Sequence, residues 1–273
     1  MNNTNNKKSN GNELMVEELM RKATELPYVR IERQEFLISV LKNKSIDDIK
    51  QFIETGDTSI FSKEYLDKIA KKVIKEETYR SSAVSFTTGV PGGFSMAATI
   101  PADILQNLAH SLRLAQKLAY IYGDKDLYDI DGKLQEQGKN ALITYFGVML
   151  GVSSATTAIG LFSKNAPKEI VKLLKDTRVN KTVWYPILKN VLKYFGVKVT
   201  KESLGKGIQK AVPVLGGFVS GGVTYVGLSK SGERLRYRMS EVTFNYTEEK
   251  AKEDYMKFEK IVKDYKEEEL KAV

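Results

Sequence analysis

PADILQNLAHSLRLAQKLAYIY, residues 101–122, is the stretch that decides the fold. Ile104, Leu105, Leu108, Leu112, Ala115, Leu118 and Ala119 recur at helical spacing and gather on one face. Asp103, Asn107, His110, Arg113 and Lys117 run beside them as a polar stripe. Pro101 fixes φ at a first turn that needs no N–H donor, and Asp103 places a negative charge at the positive end of the helix dipole. The spacing predicts one long amphipathic helix.

Uncharged runs lie on both sides of it. Upstream, SSAVSFTTGVPGGFSMAATIPA fills 81–102, and downstream ALITYFGVMLGVSSATTAIGLF fills 141–162. A third run, AVPVLGGFVSGGVTYVGLS, covers 211–229. Each holds glycines four apart (Gly89/Gly93, Gly147/Gly151, Gly217/Gly221), a spacing that lets helix backbones approach closely. By length each run is near the roughly 20 apolar residues that cross a bilayer. Three crossings would also put the basic interval 163–210 on the cytoplasmic side, as the positive-inside rule asks. Pro91, the many Gly, Ser and Thr, and the polar bulk of the chain favour packed central helices or hairpins instead. The run 141–162 is the best spanning candidate of the three.

Further out, the chain is charged and helical. Residues 1–12, MNNTNNKKSNGN, read as a disordered polar tail without an apolar leader, which makes the cytoplasm the expected location. Asn12 is placed to cap a helix that Pro27 ends near Leu26. A second helix is expected over about 33–41, and Ser45 with Asp48 resembles a capping box opening a third. Leu66, Ile69, Ala70, Val73 and Ile74 predict a fourth over Ser62–Tyr79. Ala251, Tyr255, Phe258, Val262 and Tyr265, spaced 4, 3, 4 and 3, predict a closing amphipathic helix over 248–270. Strand alternation is scarce. The expected fold is all-α: a compact helical body with central glycine-rich apolar helices or hairpins and charged amphipathic helices at both ends. The organisation read from these shifts is a tail (1–12), an N-terminal helical extension (13–80), a central helical domain (81–240) and a C-terminal helix (241–273).

Composition then limits the chemistry. The 273 residues include no Cys and one His. That excludes disulfides, thiolate zinc sites, iron–sulfur clusters, thiol nucleophiles and multi-histidine metal sites. Gly205-Lys206-Gly207 begins like a dinucleotide fingerprint, but Lys210 stands where the third Gly belongs, and no phosphate-binding P-loop occurs. No cofactor and no metal are expected. His110 has no serine in a G-x-S-x-G turn to activate, so a hydrolase working through Asp103 and His110 ranks last among the functional readings.

The net charge of +9 is local. Residues 1–162 carry 20 basic and 20 acidic residues, and residues 211–273 carry 11 of each. The interval 163–210 holds 12 basic residues against Glu169, Asp176 and Glu202, so the whole excess of nine sits there. Within it Trp184, Tyr185, Ile187, Leu188, Val191, Leu192 and Phe195 can form one broad apolar surface, with Lys181, Lys189, Lys193 and Lys198 beside it. A basic amphipathic helix that starts on Trp and Tyr suits an interfacial anchor on anionic lipid. The plainer alternative is a core-facing helix with a solvated lysine face. Nucleic acid is disfavoured because Arg178 is the interval's only arginine and no binding module appears.

The stretch 87–128 also resembles a known family. A glycine-rich apolar run, then Pro101-Ala102-Asp103, Arg113 ten residues on, and Tyr122-Gly123 closing the helix is similar to the EcsC family. AVPVLGGFVSGGVTY, residues 211–225, followed by the charged stretch Glu233–Arg238, is similar to that family's second glycine-rich segment. The resemblance covers about 80–240. It implies a bacterial helical protein, cytoplasmic or membrane-peripheral, and brings no catalytic activity with it. Asp103, Asn107, His110 and Arg113 can be read as a polar cluster at the mouth of an apolar cavity that holds a lipid-like or anionic headgroup. The solvated helix face is the plainer and favoured reading of that stripe, and the resemblance adds weight to Asp103 alone. The function expected is non-enzymatic binding of anionic lipid, or of a membrane partner, through 163–210 at the inner face of the cell membrane. A toxin-like protein that inserts glycine-rich hairpins to permeabilise membranes is the alternative.

Overall fold

A computed structural model describes residues 23, 24, 26, 28–87, 102–176, 187 and 221–271. Among them the protein is all-α. The helices are α1 (Arg33–Leu41), α2 (Ile46–Thr55), α3 (Lys63–Thr87), α4 (Ala102–Ile121), α5 (Glu136–Leu150), α6 (Ser153–Leu161), α7 (Lys168–Asp176), α8 (Gly221–Phe244) and α9 (Glu248–Lys271). A 3-10 turn spans Thr58–Ile60, and a single antiparallel bridge joins Tyr128 to Leu134.

Local chemistry sets several boundaries. Ser45 Oγ accepts the Asp48 N–H at 3.1 Å, which is the cap that its sequence position predicts. Gly56 closes α2 in the left-handed region, φ 66°. Gly151 does the same for α5 at φ 80° and returns its N–H to Gly147 and Val148.

That second turn corrects the spanning reading of 141–162. The run is not one helix: it folds back at Gly151 into α5 and α6, which pack on each other. Fifteen residues of α5 reach only about 22 Å, short of the roughly 30 Å hydrocarbon layer. No helix among the described residues is long and apolar enough to cross a membrane. Most of 81–102 and 211–229 lies outside the described residues.

The core is built around α4. Its predicted apolar positions Leu108, Leu112, Ala115, Leu118 and Ala119 are buried, as are Ala109, Leu114, Tyr120 and Ile121. The helix is therefore covered on nearly every side, by α3, α5, α8 and α1. Gly232 of α8 sits where a Cβ would crowd Leu114 and Ile74, so its lack of a side chain lets α8 lie close to both α3 and α4. α9 packs on α6 and reaches α7.

The boundaries drawn at 80/81 and 240/241 fall inside α3 and α8. The N-terminal segment also shares the central core, since Val29, Leu37, Phe52 and Phe61 are buried in one cluster with Leu112 and Leu118. Gln116, fully buried on α4, ties it down. Its amide donates to the Val29 carbonyl at 3.0 Å and its oxygen accepts the Ile31 N–H at 3.1 Å. A buried amide with both ends satisfied fixes a register that apolar contact alone would leave loose.

Candidate functional site

The polar stripe of α4 does not face water. Asn107 is half-buried, His110 is buried at 6% exposure, and Arg113 and Lys117 show only 16% and 12% of their side chains. Spacings of three and four residues aim His110, Arg113 and Lys117 at the same strip of α3. What they meet there is Glu77, whose side chain is 1% exposed. Arg113 Nε donates to Glu77 Oε1 at 3.0 Å, Lys117 Nζ donates to Oε2, and His110 Nδ1 lies 3.5 Å from Oε1. The solvated-face reading of this stripe fails for His110, Arg113 and Lys117, which turn to α3.

Electrostatics follow from this geometry. Burial by itself raises a carboxyl pKa, but contact with His110 and the charges of Lys117 and Arg113 outweigh it, and Glu77 is held well below the usual carboxylate range. Burial pushes Lys117 the other way, down from an ordinary lysine, helped by repulsion from Arg113 and Arg80 and opposed by Glu77. The Tyr28 ring stands 6.2 Å from the His110 ring, at 43% exposure.

Of the predicted cluster, the structure brings His110 and Arg113 together. Asp103 is the second residue of α4, but its side chain lies outside the described residues, as does Pro101. Two members were not foreseen. Lys117 enters the sequence reading only as part of the stripe, and Glu77 does not enter it. Its signal was phase: Leu66, Ala70, Val73 and Glu77 are spaced 4, 3 and 4, which puts an acid on the apolar face of α3.

The end of α4 serves a second purpose. Tyr122 donates its hydroxyl to Asp67 Oδ1 at 2.5 Å, and Asp67 also takes Lys63 at 2.8 Å and Arg236 at 3.3 Å. Gly123 follows at φ 88°, packed so closely on Gly56 that a side chain at either would run into the other's carbonyl. Lys164 Nζ donates to that Gly56 carbonyl. Tyr145 donates to Asp124, and Arg33 Nε donates to the Asp124 carbonyl at 2.8 Å. Tyr122 and Gly123 are thus joints of the fold.

The described start of the basic interval is α7. Ile170 and Leu174 are buried against the body, while Val171 and Leu173 are 36% and 44% exposed, next to exposed Lys168 and Lys172. Phe162, just before it, is 38% exposed with its ring edge-on to Phe258. Lys164 is turned back to the body and does not join this surface. Lys181, Trp184, Tyr185, Lys189, Lys193, Phe195 and Lys198 lie outside the described residues. Ile187 is described, and it is buried in the core, so the apolar surface read over 184–195 gives at least that residue to the interior. Among the described residues no group of acidic and histidine side chains is arranged to hold a metal. No protein-family model, curated protein or solved structure matches the chain.

Proposed function

We propose that the protein is a non-enzymatic, peripheral binder of anionic membrane surfaces, working through 163–210 at the inner face of the cell membrane. One observation carries the reading. The whole excess of nine positive charges lies in that interval, and α7 at its start exposes Val171 and Leu173 beside Lys168 and Lys172. Exposed branched apolar side chains beside lysines suit the interface, where the apolar groups enter the headgroup layer and each ammonium adds about 1 kcal/mol. Ile170 and Leu174 hold the helix to the body, so the exposed pair is presented on a fixed support. The EcsC-like stretch belongs to the same proposal, because that resemblance implies a helical, membrane-peripheral protein.

Co-sedimentation with vesicles tests it. Binding to phosphatidylcholine vesicles containing anionic lipid is expected, with weak binding to phosphatidylcholine alone and release by high salt. Lys168→Glu with Lys172→Glu weakens binding, and Leu173→Ser weakens the part that resists salt. Equal binding to neutral and anionic vesicles, or none to either, overturns the proposal. Release of a trapped dye favours the permeabilising alternative, since a peripheral binder leaves the vesicle sealed.

A further inference from the structure

Among the described residues, the cluster on α3 and α4 carries more positive charge than its one carboxylate balances. Glu77 supplies one negative charge to two cations, Arg113 and Lys117, and the charge of a third, Arg80, is felt at Lys117. The hydrogen bonding is equally one-sided. Arg113 engages Glu77 through Nε alone, and no other acceptor for it occurs among the described residues. Its terminal guanidinium nitrogens form the planar fork that matches two oxygens of an anion. Tyr28 is half exposed and close enough for the Arg113 charge to act on its hydroxyl.

We propose that the terminal guanidinium nitrogens of Arg113, with Arg80 one turn beyond Glu77 on α3 and the Tyr28 hydroxyl within reach of the Arg113 charge, bind a phosphate group. Glu77 orients the guanidinium through Nε and keeps Lys117 in place, while the ligand takes the two terminal nitrogens. A phosphate is favoured over a lone carboxylate because Glu77 against Arg113, Lys117 and Arg80 leaves an excess of two positive charges among the described residues, which a dianion neutralises. This inference uses no residue of 163–210 and stands or falls apart from membrane binding there.

His110 is the chain's only histidine, so its ring signals report on the site without ambiguity. In the full chain, titration with inorganic phosphate at constant pH and ionic strength is expected to shift them saturably, with a dissociation constant of about 1 mM or tighter. Sodium chloride at the same ionic strength produces no saturable shift. Arg113→Gln weakens the response about tenfold or more. Arg80→Gln, at an exposed position with no part in the core, weakens it severalfold and decides the matter if Arg113→Gln fails to fold. Glu77→Gln removes the competing carboxylate, so phosphate binds this variant about tenfold tighter and raises its melting temperature more than that of the parent.

Glycerol 3-phosphate and phosphatidic acid in phosphatidylcholine bicelles separate the sources. A response to both means that any phosphate ester is taken, and a response to the bicelles alone means a lipid headgroup. Absence of a saturable shift with all three probes overturns the proposal. So does an undiminished response in folded Arg113→Gln, or a Glu77→Gln variant that phosphate neither binds more tightly nor stabilises.

Discussion

Two of the charged clusters that join helices in this fold differ in stoichiometry. Where α8 meets α9, Arg238 pairs with Glu241 at 2.7 Å and with Asp254, and Lys250 pairs with Glu241 at 2.6 Å. Arg238 also donates to the Thr156 carbonyl at 2.9 Å, and Tyr246 donates to Asp254 at 3.0 Å. Two cations face two carboxylates, every acid has a second partner, and the arrangement clamps α6, α8 and α9. Where α3 meets α4, one carboxylate serves Arg113, Lys117 and His110. A balanced cluster is complete as a joint. An unbalanced one concentrates its dependence on a single acid and leaves cationic valence over.

That difference predicts unequal losses on mutation. Glu77→Gln leaves two partly buried cations without a counter-ion, and breaking a buried pair from one side costs about 3–5 kcal/mol. Arg238→Gln removes charge-assisted hydrogen bonds but leaves Asp254 with Tyr246 and Glu241 with Lys250, so no carboxylate is stranded and the loss is the smaller of the two. Denaturant unfolding at neutral pH measures both. Equal losses would break the contrast, because they would mean that partner number does not set the dependence.

Acid unfolding sharpens it. Glu77 is held below the ordinary carboxylate range in the folded chain and returns to that range on unfolding. Its stabilisation is therefore complete above the unfolded pKa and is lost as pH falls through and below that range. Glu241 and Asp67 are shifted in the same direction and share the acid limb. Glu241 has hydrogen bonds from Lys250 and Arg238 working against its burial, but it is far more exposed than Glu77. Glu77→Gln should flatten stability against pH more than Glu241→Gln does, as read from urea midpoints at successive pH values.

Much of this was legible in the sequence because it is local. The spacing over 101–122 and 248–270 predicts the observed helices α4 and α9 to within a residue or two, and Ser45 caps where a capping residue should. What was hidden depends on tertiary choice. Gly147 and Gly151 show the spacing of close helix packing, yet Gly151 is used for its left-handed backbone and ends α5. The same two letters fit either use. His110, Arg113 and Lys117 read as a solvent face because hydrophobic period alone cannot tell water from a buried partner on another helix. Only the phase of Glu77 on α3 pointed to that partner.

The finest test of the contrast lies within α3 itself. Glu76 and Glu77 are neighbours of the same type on the same helix, about 100° apart around its axis. Glu76, 53% exposed, meets Lys72 at 3.7 Å across one turn in water, whereas Glu77 turns inward to the α4 cations. Such an exposed pair is worth about 0.5 kcal/mol or less, since solvent screens the charges and two long side chains lose freedom to meet. Glu76→Gln should therefore leave the denaturant midpoint nearly unchanged and the acid limb as steep as in the parent. If Glu76→Gln cost as much as Glu77→Gln, the loss would belong to the helix or to net charge. A wide gap between the two assigns it to the one carboxylate on which three basic residues of α4 converge.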